Sequence, residues 1–545
     1  MDYLSLCLIC KDENDYLPEW LDYHILMGVD RFYIYDNESK VSLCESLKDY
    51  IAHGWVVVMD IPGKAVQLHA YDHCLRIFGA NTFWMGFIDT DEFLVPKTCL
   101  DLKELLKDYE AYGGLAVSSL FFGSNGHANR PSVGQIASYT HRTHVTFKEN
   151  DLIKSIIQPS RVLMPYSPHD FTYKEKYWCA NEIFLRVDNQ DFPNHIEKIQ
   201  LNHYFCRSKS ELDQKLRRGR GAMNAAWPLK RFELVDRLST ISDTQILHNI
   251  EELFIRSELA QVSLNKLPES MGLLEKMSAL ARLRRPNPCE FPLPSEVNFQ
   301  EKVTTFLEIE TQFRAVKARE DHAEIKHWIL RKLEMYPQRI MLYIDLAICY
   351  LNLKESLNAW QVLTQAWQIS PNSYSTLFGM SYYFLRIKNF EMAEKTCHLL
   401  LEIAPHDLTV LGFMTEALLG QERFEEAVKV GVPVIELSSQ VGELPERMGV
   451  FLVKKLADYL LKKKDYAGVV HLWEAGIQCQ PGDINGLLEL SQALLLTGDK
   501  AAARKRLAEA SELDPQNTSV LTLIKKVDKI VGLMTPASRA SKRRH

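Results

Sequence analysis

The sequence predicts an α/β domain with a Rossmann-like, mostly parallel sheet, followed by an all-α solenoid of repeated helix pairs. Three observations carry this expectation. Short apolar runs alternate with amphipathic stretches over the first ~95 residues. Proline recurs at a fixed spacing in the second half of the chain. A proline-rich stretch, residues 285–294, separates the two patterns and reads as a linker. The chain's 545 residues are too many for one core.

The N-terminal elements follow in order. Tyr3–Cys10 reads as a strand, and Asn14–Met27 as a helix with Leu17, Trp20, Leu21, His24 and Ile25 on one side. Phe32–Tyr35 is a second strand, Val41–Ala52 a helix stopped by Gly54, and Trp55–Met59 a third strand. Gln67–Phe78 is a helix stopped by Gly79, and Phe83–Ile88 is the fourth strand. This rhythm argues for a parallel sheet covered on both faces. Further on, Leu115–Phe122 and Ile199–Cys206 read as strands, 154–168 as a strand followed by a turn, and 209–285 as mainly helical.

Beyond the linker, Pro337, Pro371 and Pro405 lie 34 residues apart, as do Pro481 and Pro515. Ala359, Ala393, Ala427 and Ala503 recur at one offset, and Ala366 and Ala510 at another. Small residues at helix contacts with a proline at each unit's end resemble the tetratricopeptide repeat. Five units are expected over ~340–517, with a degenerate one before them and an insertion around Ser438–Pro445 in the third. The expected domains are 1–230, a helical extension and linker at 231–305, repeats at 306–530, and a basic tail at 531–545. Stacked helix pairs form a surface that binds a protein partner.

A net charge of -6 removes the basic field that nucleic-acid binding needs. The only basic stretch is the tail around Arg539–Arg544, read as solvated, with at most peripheral contact with the inner face of a membrane. There is no signal-peptide pattern and no apolar run of the ~20 residues that span a bilayer. The expectation is a cytoplasmic protein whose eleven cysteines are reduced. Cys7 and Cys10 form a CxxC inside a strand, where core packing is the better reading.

In parallel sheets ligands bind beyond the carboxyl ends of the strands. There the sequence has Lys11-Asp-Glu13, then Asp36-Asn37-Glu38, then Asp89-Thr-Asp91-Glu92. Asp36 and Asn37 read equally well as turn and cap residues. The last cluster is more telling. Two carboxylates spaced i, i+2 on extended chain point the same way, and such a pair needs a cation. Hard oxygen ligands suit Mn²⁺ or Mg²⁺, which also bind diphosphate oxygens.

These segments together resemble glycosyltransferase family 92 and related family-2-like enzymes of GT-A fold. The resemblance runs through Lys11–His24, Gly28–Asn37, Gln67–Cys74, Asp89–Phe93, Phe122–His127, Lys154–Pro159, Pro168–Phe171, Asn202–Phe205, Lys209 and Lys215–Gly221, in colinear order over ~230 residues. It implies a nucleotide-sugar donor, UDP-linked, and a metal–diphosphate unit on Asp89 and Asp91 completed by His203, with His169 as competitor. It implies that Lys11, Glu13, Asp36, Asn37, Gln67 and Lys154 line the donor pocket. Lys154 reads equally well as a surface lysine. It implies inversion at the anomeric carbon, with His127 or Asp170 as the general base. The glutamate found soon after this loop in bacterial relatives is replaced here by Ala137. The basic run Arg217–Gly221 reads as a lid over the phosphates or as a solvated helix end. The acceptor is a glycan, lipid-linked or protein hydroxyl. The competing reading is a repeat scaffold carrying a degenerate, non-catalytic transferase domain.

Overall fold

The computed structural model describes residues 1–218, 229–256, 271–286, 288, 297–441 and 450–531. Residues 219–221 of the basic run, 442–445 of the expected insertion, most of the proline-rich stretch and the basic tail lie outside the described residues. The chain separates into two compact units, Met1–Gly379 and Met380–His545.

The first unit is built on a mixed, mostly parallel sheet with ten strands among the described residues. They are β1 (Asp2–Cys10), β2 (Arg31–Asp36), β3 (Val56–Asp60), β4 (Thr82–Phe87), β5 (Glu92–Pro96), β6 (Gly114–Phe121), β7 (Ile153–Ile157), β8 (Cys179–Ala180), β9 (Arg186–Val187) and β10 (Ile199–His203). Their order is β9-β8-β6-β7-β4-β1-β2-β3, with β10 pairing to β5 and β6. The pairs β1–β2, β1–β4, β2–β3, β6–β8 and β6–β10 are parallel. β7 runs antiparallel to both β4 and β6, which makes the sheet mixed.

Both faces are buried, as the apolar strands require. Leu4, Leu6, Leu8 and Cys10 of β1 join one core, and Cys7 joins the other. The CxxC cysteines thus stand on opposite faces of the sheet.

Two expectations need correction. The single helix over Val41–Ala52 is two short ones, Leu43–Ser46 and Lys48–Ala52, because the fully buried Leu47 leaves helical geometry between them. The segment after β4 is not extended. The chain turns at residues 89–92, with the Glu92 N–H donating to the Asp89 carbonyl (3.1 Å), and then enters β5. The register of β5 is set by antiparallel pairing with β10, Glu92 opposite His203.

Helix α1 (Leu17–Leu26), with Pro18 in its first turn, fixes β5 from the side. The Trp20 indole N–H donates to the Glu92 carbonyl (2.9 Å), and the Tyr23 hydroxyl donates to that of Leu94 (2.9 Å). His24 Nε2 accepts the Leu94 N–H (3.3 Å), and Nδ1 donates to the Trp20 carbonyl (2.8 Å). Helix α2 (Gln67–Phe78) lies where the sequence places it.

The helical array begins inside the first unit. Phe306, Phe313, Ile329, Tyr336 and Leu342, from the helices Glu301–Lys317 to Ile340–Asn352, share one core with Tyr71, Phe87 and Phe171. In the second unit the helices Phe390–Ile403 through Thr518–Val531 form antiparallel pairs. Ala393, Ala427, Ala503 and Ala510 are fully buried at the positions the repeat pattern marks. Helices approach closely there: a Cβ on Gly420 would lie 2.4 Å from the Phe390 ring. Asp407, Asp465, Asp483 and Asp499 cap the helices that follow them by accepting backbone N–H bonds.

Burial lowers the His24 imidazole to about 3, against the bond to the Trp20 carbonyl. The unfolded chain takes up a proton near pH 6.5 that the folded chain refuses. Stability must therefore fall as pH drops from about 6.5 toward 3. Relative to wild type, His24→Leu should gain about 2 kcal/mol between pH 7 and pH 5, read from urea unfolding of the first transition. A constant difference across that range would show that the imidazole charges within the fold.

Candidate active site

The turn between β4 and β5 carries Asp89 and Asp91 on the carboxyl edge of the sheet, and each carboxylate faces its own lysine. Asp89 Oδ2 accepts from Lys154 Nζ (3.0 Å), and Asp89 Oδ1 accepts from the Gln67 amide (3.3 Å). Lys154 comes from β7 and also pairs with Glu92 (3.2 Å). Its side chain is only 1% exposed, so it is no surface lysine. Burial opposes its charge, but Asp89 and Glu92 outweigh burial and raise its pKa well above that of a free lysine.

Asp91 lies on the other side of the turn. Its Oδ2 accepts from Lys215 Nζ (2.8 Å), and His203 Nε2 stands 3.7 Å from the same oxygen. Burial would raise the Asp91 pKa, but Lys215, His203 and Arg207 outweigh it and hold the carboxyl well below its usual range. Lys215 lies on helix α3 (Lys209–Arg218). Glu211, one turn earlier, anchors that helix: it accepts from the hydroxyls of Tyr16, Tyr139 (3.2 Å) and Ser208 (2.5 Å). Arg207 pairs with Glu13 (2.7 Å) and stacks over the Tyr16 ring at 4.0 Å.

The remaining expected residues divide. Asp36 is buried and accepts the backbone N–H groups of Ser39 (2.9 Å) and Leu43 (3.1 Å), a turn and cap role. Asn37 donates to the carbonyls of Ile61 (2.7 Å) and Gly63 (2.9 Å), tying the ends of β2 and β3 together. Lys11 pairs with Glu38 at 3.6 Å on the rim. His169 donates Nδ1 to the Ile153 carbonyl (3.0 Å), and burial with Lys154 nearby lowers its imidazole to about 3. His127 sits on the loop whose carbonyl receives the Lys209 N–H at the start of α3 (3.1 Å), with its ring edge-on to Tyr139.

Asp170 is corrected as a base candidate. Its carboxylate is held by Arg339 (2.6 Å) and the Ser167 hydroxyl (2.5 Å), so it faces the helical array.

The metal expectation is also narrowed. Among the described residues no three His, Cys, Asp or Glu side chains gather closely enough to hold an ion; of the expected set, Asp91 and His203 stand nearest, at 3.7 Å. Asp91 and His203 alone fit. Two ligands each about 2.1 Å from one ion stand about 3 to 4.2 Å apart, which brackets 3.7 Å. Mg²⁺-like ions take one or two protein ligands and leave the rest to phosphate. The Lys215 ammonium supplies the counter-charge of Asp91 here.

Sequence reasoning missed the roles of Glu92, Arg207, Lys215 and Gln135. The Gln135 amide donates to the Thr90 carbonyl (3.1 Å), and so ties the loop after β6 to the carboxylate turn. The only local signal was Glu211 and Lys215 at i, i+4 on one helix face.

Residues 3–215 match the model described as Glycosyltransferase family 92. A family 92 protein of Ricinus communis is 31% identical over 162 residues, covering 28% of this chain and 28% of its own length. One of Oryza sativa subsp. japonica is 28% identical over 177 residues, covering 32% and 30%. The chain thus spans under a third of the length of these relatives. Among solved structures, Pseudomonas aeruginosa PilF aligns with 14% identity and a TM-score of 0.33, over 42% of this chain and 100% of its own. The TPR protein YrrB aligns with 13% identity and a TM-score of 0.28, over 36% and 97%. No described helix is long and apolar enough to cross a membrane.

Lys154→Met would strand Glu92, which is 2% exposed, together with Asp89. It should cost about 3–5 kcal/mol, seen as a lower urea midpoint for the first transition. An unchanged midpoint would mean that the two carboxylates find other partners.

Proposed function

We propose that residues 3–215, which form a glycosyltransferase family 92 domain, transfer a sugar from a nucleotide-diphosphate donor, a UDP-sugar, to a hydroxyl of a glycan, lipid-linked or protein acceptor. The observation that carries this reading is the order of charge at the carboxyl edge of the sheet. Asp89 and Asp91, on one turn, are each met by a lysine from a different element.

In this reading the buried Lys154 holds Asp89 and Glu92 in place, and Gln67 and Asp89 face the nucleoside. Asp91 and His203 are the residues that would hold Mn²⁺ or Mg²⁺, which when bound supplies counter-charge for a departing diphosphate. Lys215 and Arg207 add positive potential on the same side. The acceptor oxygen bonds to the anomeric carbon as the bond from that carbon to the β-phosphate oxygen breaks. The electron pair leaves with UDP, and the configuration inverts. The hydroxyl proton passes to the His127 imidazole, the expected base now that Arg339 holds Asp170. The helical repeats bind a protein partner or the carrier of the acceptor.

The test is thermal unfolding of the full chain with UDP and Mn²⁺. The two together should raise the melting temperature more than either alone, by linkage. Asp91→Ala should abolish that rise and lower sugar transfer by about 10²-fold or more. A screen of nucleotide sugars for Mn²⁺-dependent hydrolysis names the donor. Wild-type transfer by Asp91→Ala would remove the assignment.

A further inference from the structure

A cavity of about 540 Å³ opens beside the strands Phe171–Tyr173 and Arg186–Val187 and is closed by residues 335–339 at the end of the first helix pair. Ile153, which lines it, precedes Lys154, and Asp170 on its wall follows His169, whose Nδ1 binds the Ile153 carbonyl. The volume lies within the usual range for small-ligand sites.

Its chemistry is specific in two ways. First, its buried charges are paired: Asp170 with Arg339 (2.6 Å) and Asp188 with Arg186 (2.6 Å). Of the other charged residues on the lining, Lys174 donates to the Ser160 carbonyl (2.7 Å), Lys176 stands over the Tyr177 ring at 5.2 Å and Glu175 is exposed, so the buried part of the wall offers no uncompensated charge to a phosphate or an acidic peptide. Two polar atoms of lining residues lack partners. Arg339 Nε and Thr172 Oγ1 are buried and have no hydrogen-bond partner among the described residues. Second, four large aromatic side chains with polar tips, Tyr173, Tyr177, Trp178 and Tyr336, stand on the lining. Rings that present an apolar face with a polar tip, set among paired donors and acceptors, suit a neutral ligand with apolar C–H faces and many hydroxyls. That description fits a carbohydrate.

We infer that this cavity binds a neutral oligosaccharide: the part of the acceptor remote from the reacting hydroxyl. The binding stands on the cavity alone, whereas its role as acceptor site rests on the transferase reading. The helix pair that supplies Arg339 and Tyr336 then completes the acceptor site, and the array does more than recruit a partner.

The test is saturation-transfer NMR on the full chain with maltotetraose, cellotetraose and chitotetraose, and with a sulfated chondroitin tetrasaccharide and an acidic peptide as charged controls. At least one neutral tetrasaccharide should receive saturation. Tyr177→Ala, at a half-buried position, and the near-isosteric Thr172→Val should each weaken that binding at least tenfold. Both variants should keep the wild-type melting shift with UDP and Mn²⁺, and Asp91→Ala should keep the oligosaccharide binding. Oligosaccharide binding without any UDP shift would leave the cavity standing and remove the transferase reading. The proposal is overturned if no neutral tetrasaccharide binds, if a charged control binds more tightly, or if both cavity variants bind as wild type.

Discussion

The site depends on one buried cation. Lys154 is sealed between Asp89 and Glu92, and a lysine so placed stays charged only because both carboxylates lie within 3.2 Å. The same contact makes it tolerable for two acidic side chains to sit at the end of β4. Lys154 can reach them because β7 enters the sheet antiparallel, beside β4. The acidic side is fixed with equal care. Trp20, Tyr23 and His24 of α1 bind the backbone of β5, so the turn has little freedom to open. A preorganised edge of this kind spends its reorganisation cost in folding and not at the moment of reaction.

The other half of the edge is built on a helix. Lys215 meets Asp91 from α3, and α3 is anchored through Glu211 to Tyr16 and Tyr139. Two cations from two elements thus divide the carboxylates between them. Lys154 is structural by its burial. Lys215 stands at the oxygen that also faces His203. Arg207, held by Glu13 behind Asp91, adds to the positive charge that keeps this carboxyl ionised.

The helical array is joined to the catalytic sheet by more than a linker. Its first helices share a core with the sheet, and Arg339 reaches back to Asp170, buried over the Tyr166 ring at 3.7 Å. A residue expected to take a proton is therefore a tie between two parts of the first unit. Arg339 also lines a cavity whose wall is made by both the strands and the helix pair.

Local periodicity was legible in the sequence. Strands and helices of the first ~95 residues followed from hydrophobic spacing, and the 34-residue recurrence of proline and alanine marked the helix pairs. Periodicity is a property of neighbours, so one dimension suffices to read it. The acidic turn was legible as a cluster, and Gln67 as its neighbour at the start of a helix. What met each acid was not. Lys154 is 65 residues from Asp89, Lys215 is 124 from Asp91, and Arg339 is 169 from Asp170. Such pairings depend on which strand enters the sheet antiparallel and on how a helix is anchored, and no local pattern encodes either. The sequence by itself determined the elements and the acidic chemistry at their edge. Only the tertiary structure decided which charges face one another, because a partner is chosen by packing and by the cost of burying a charge alone.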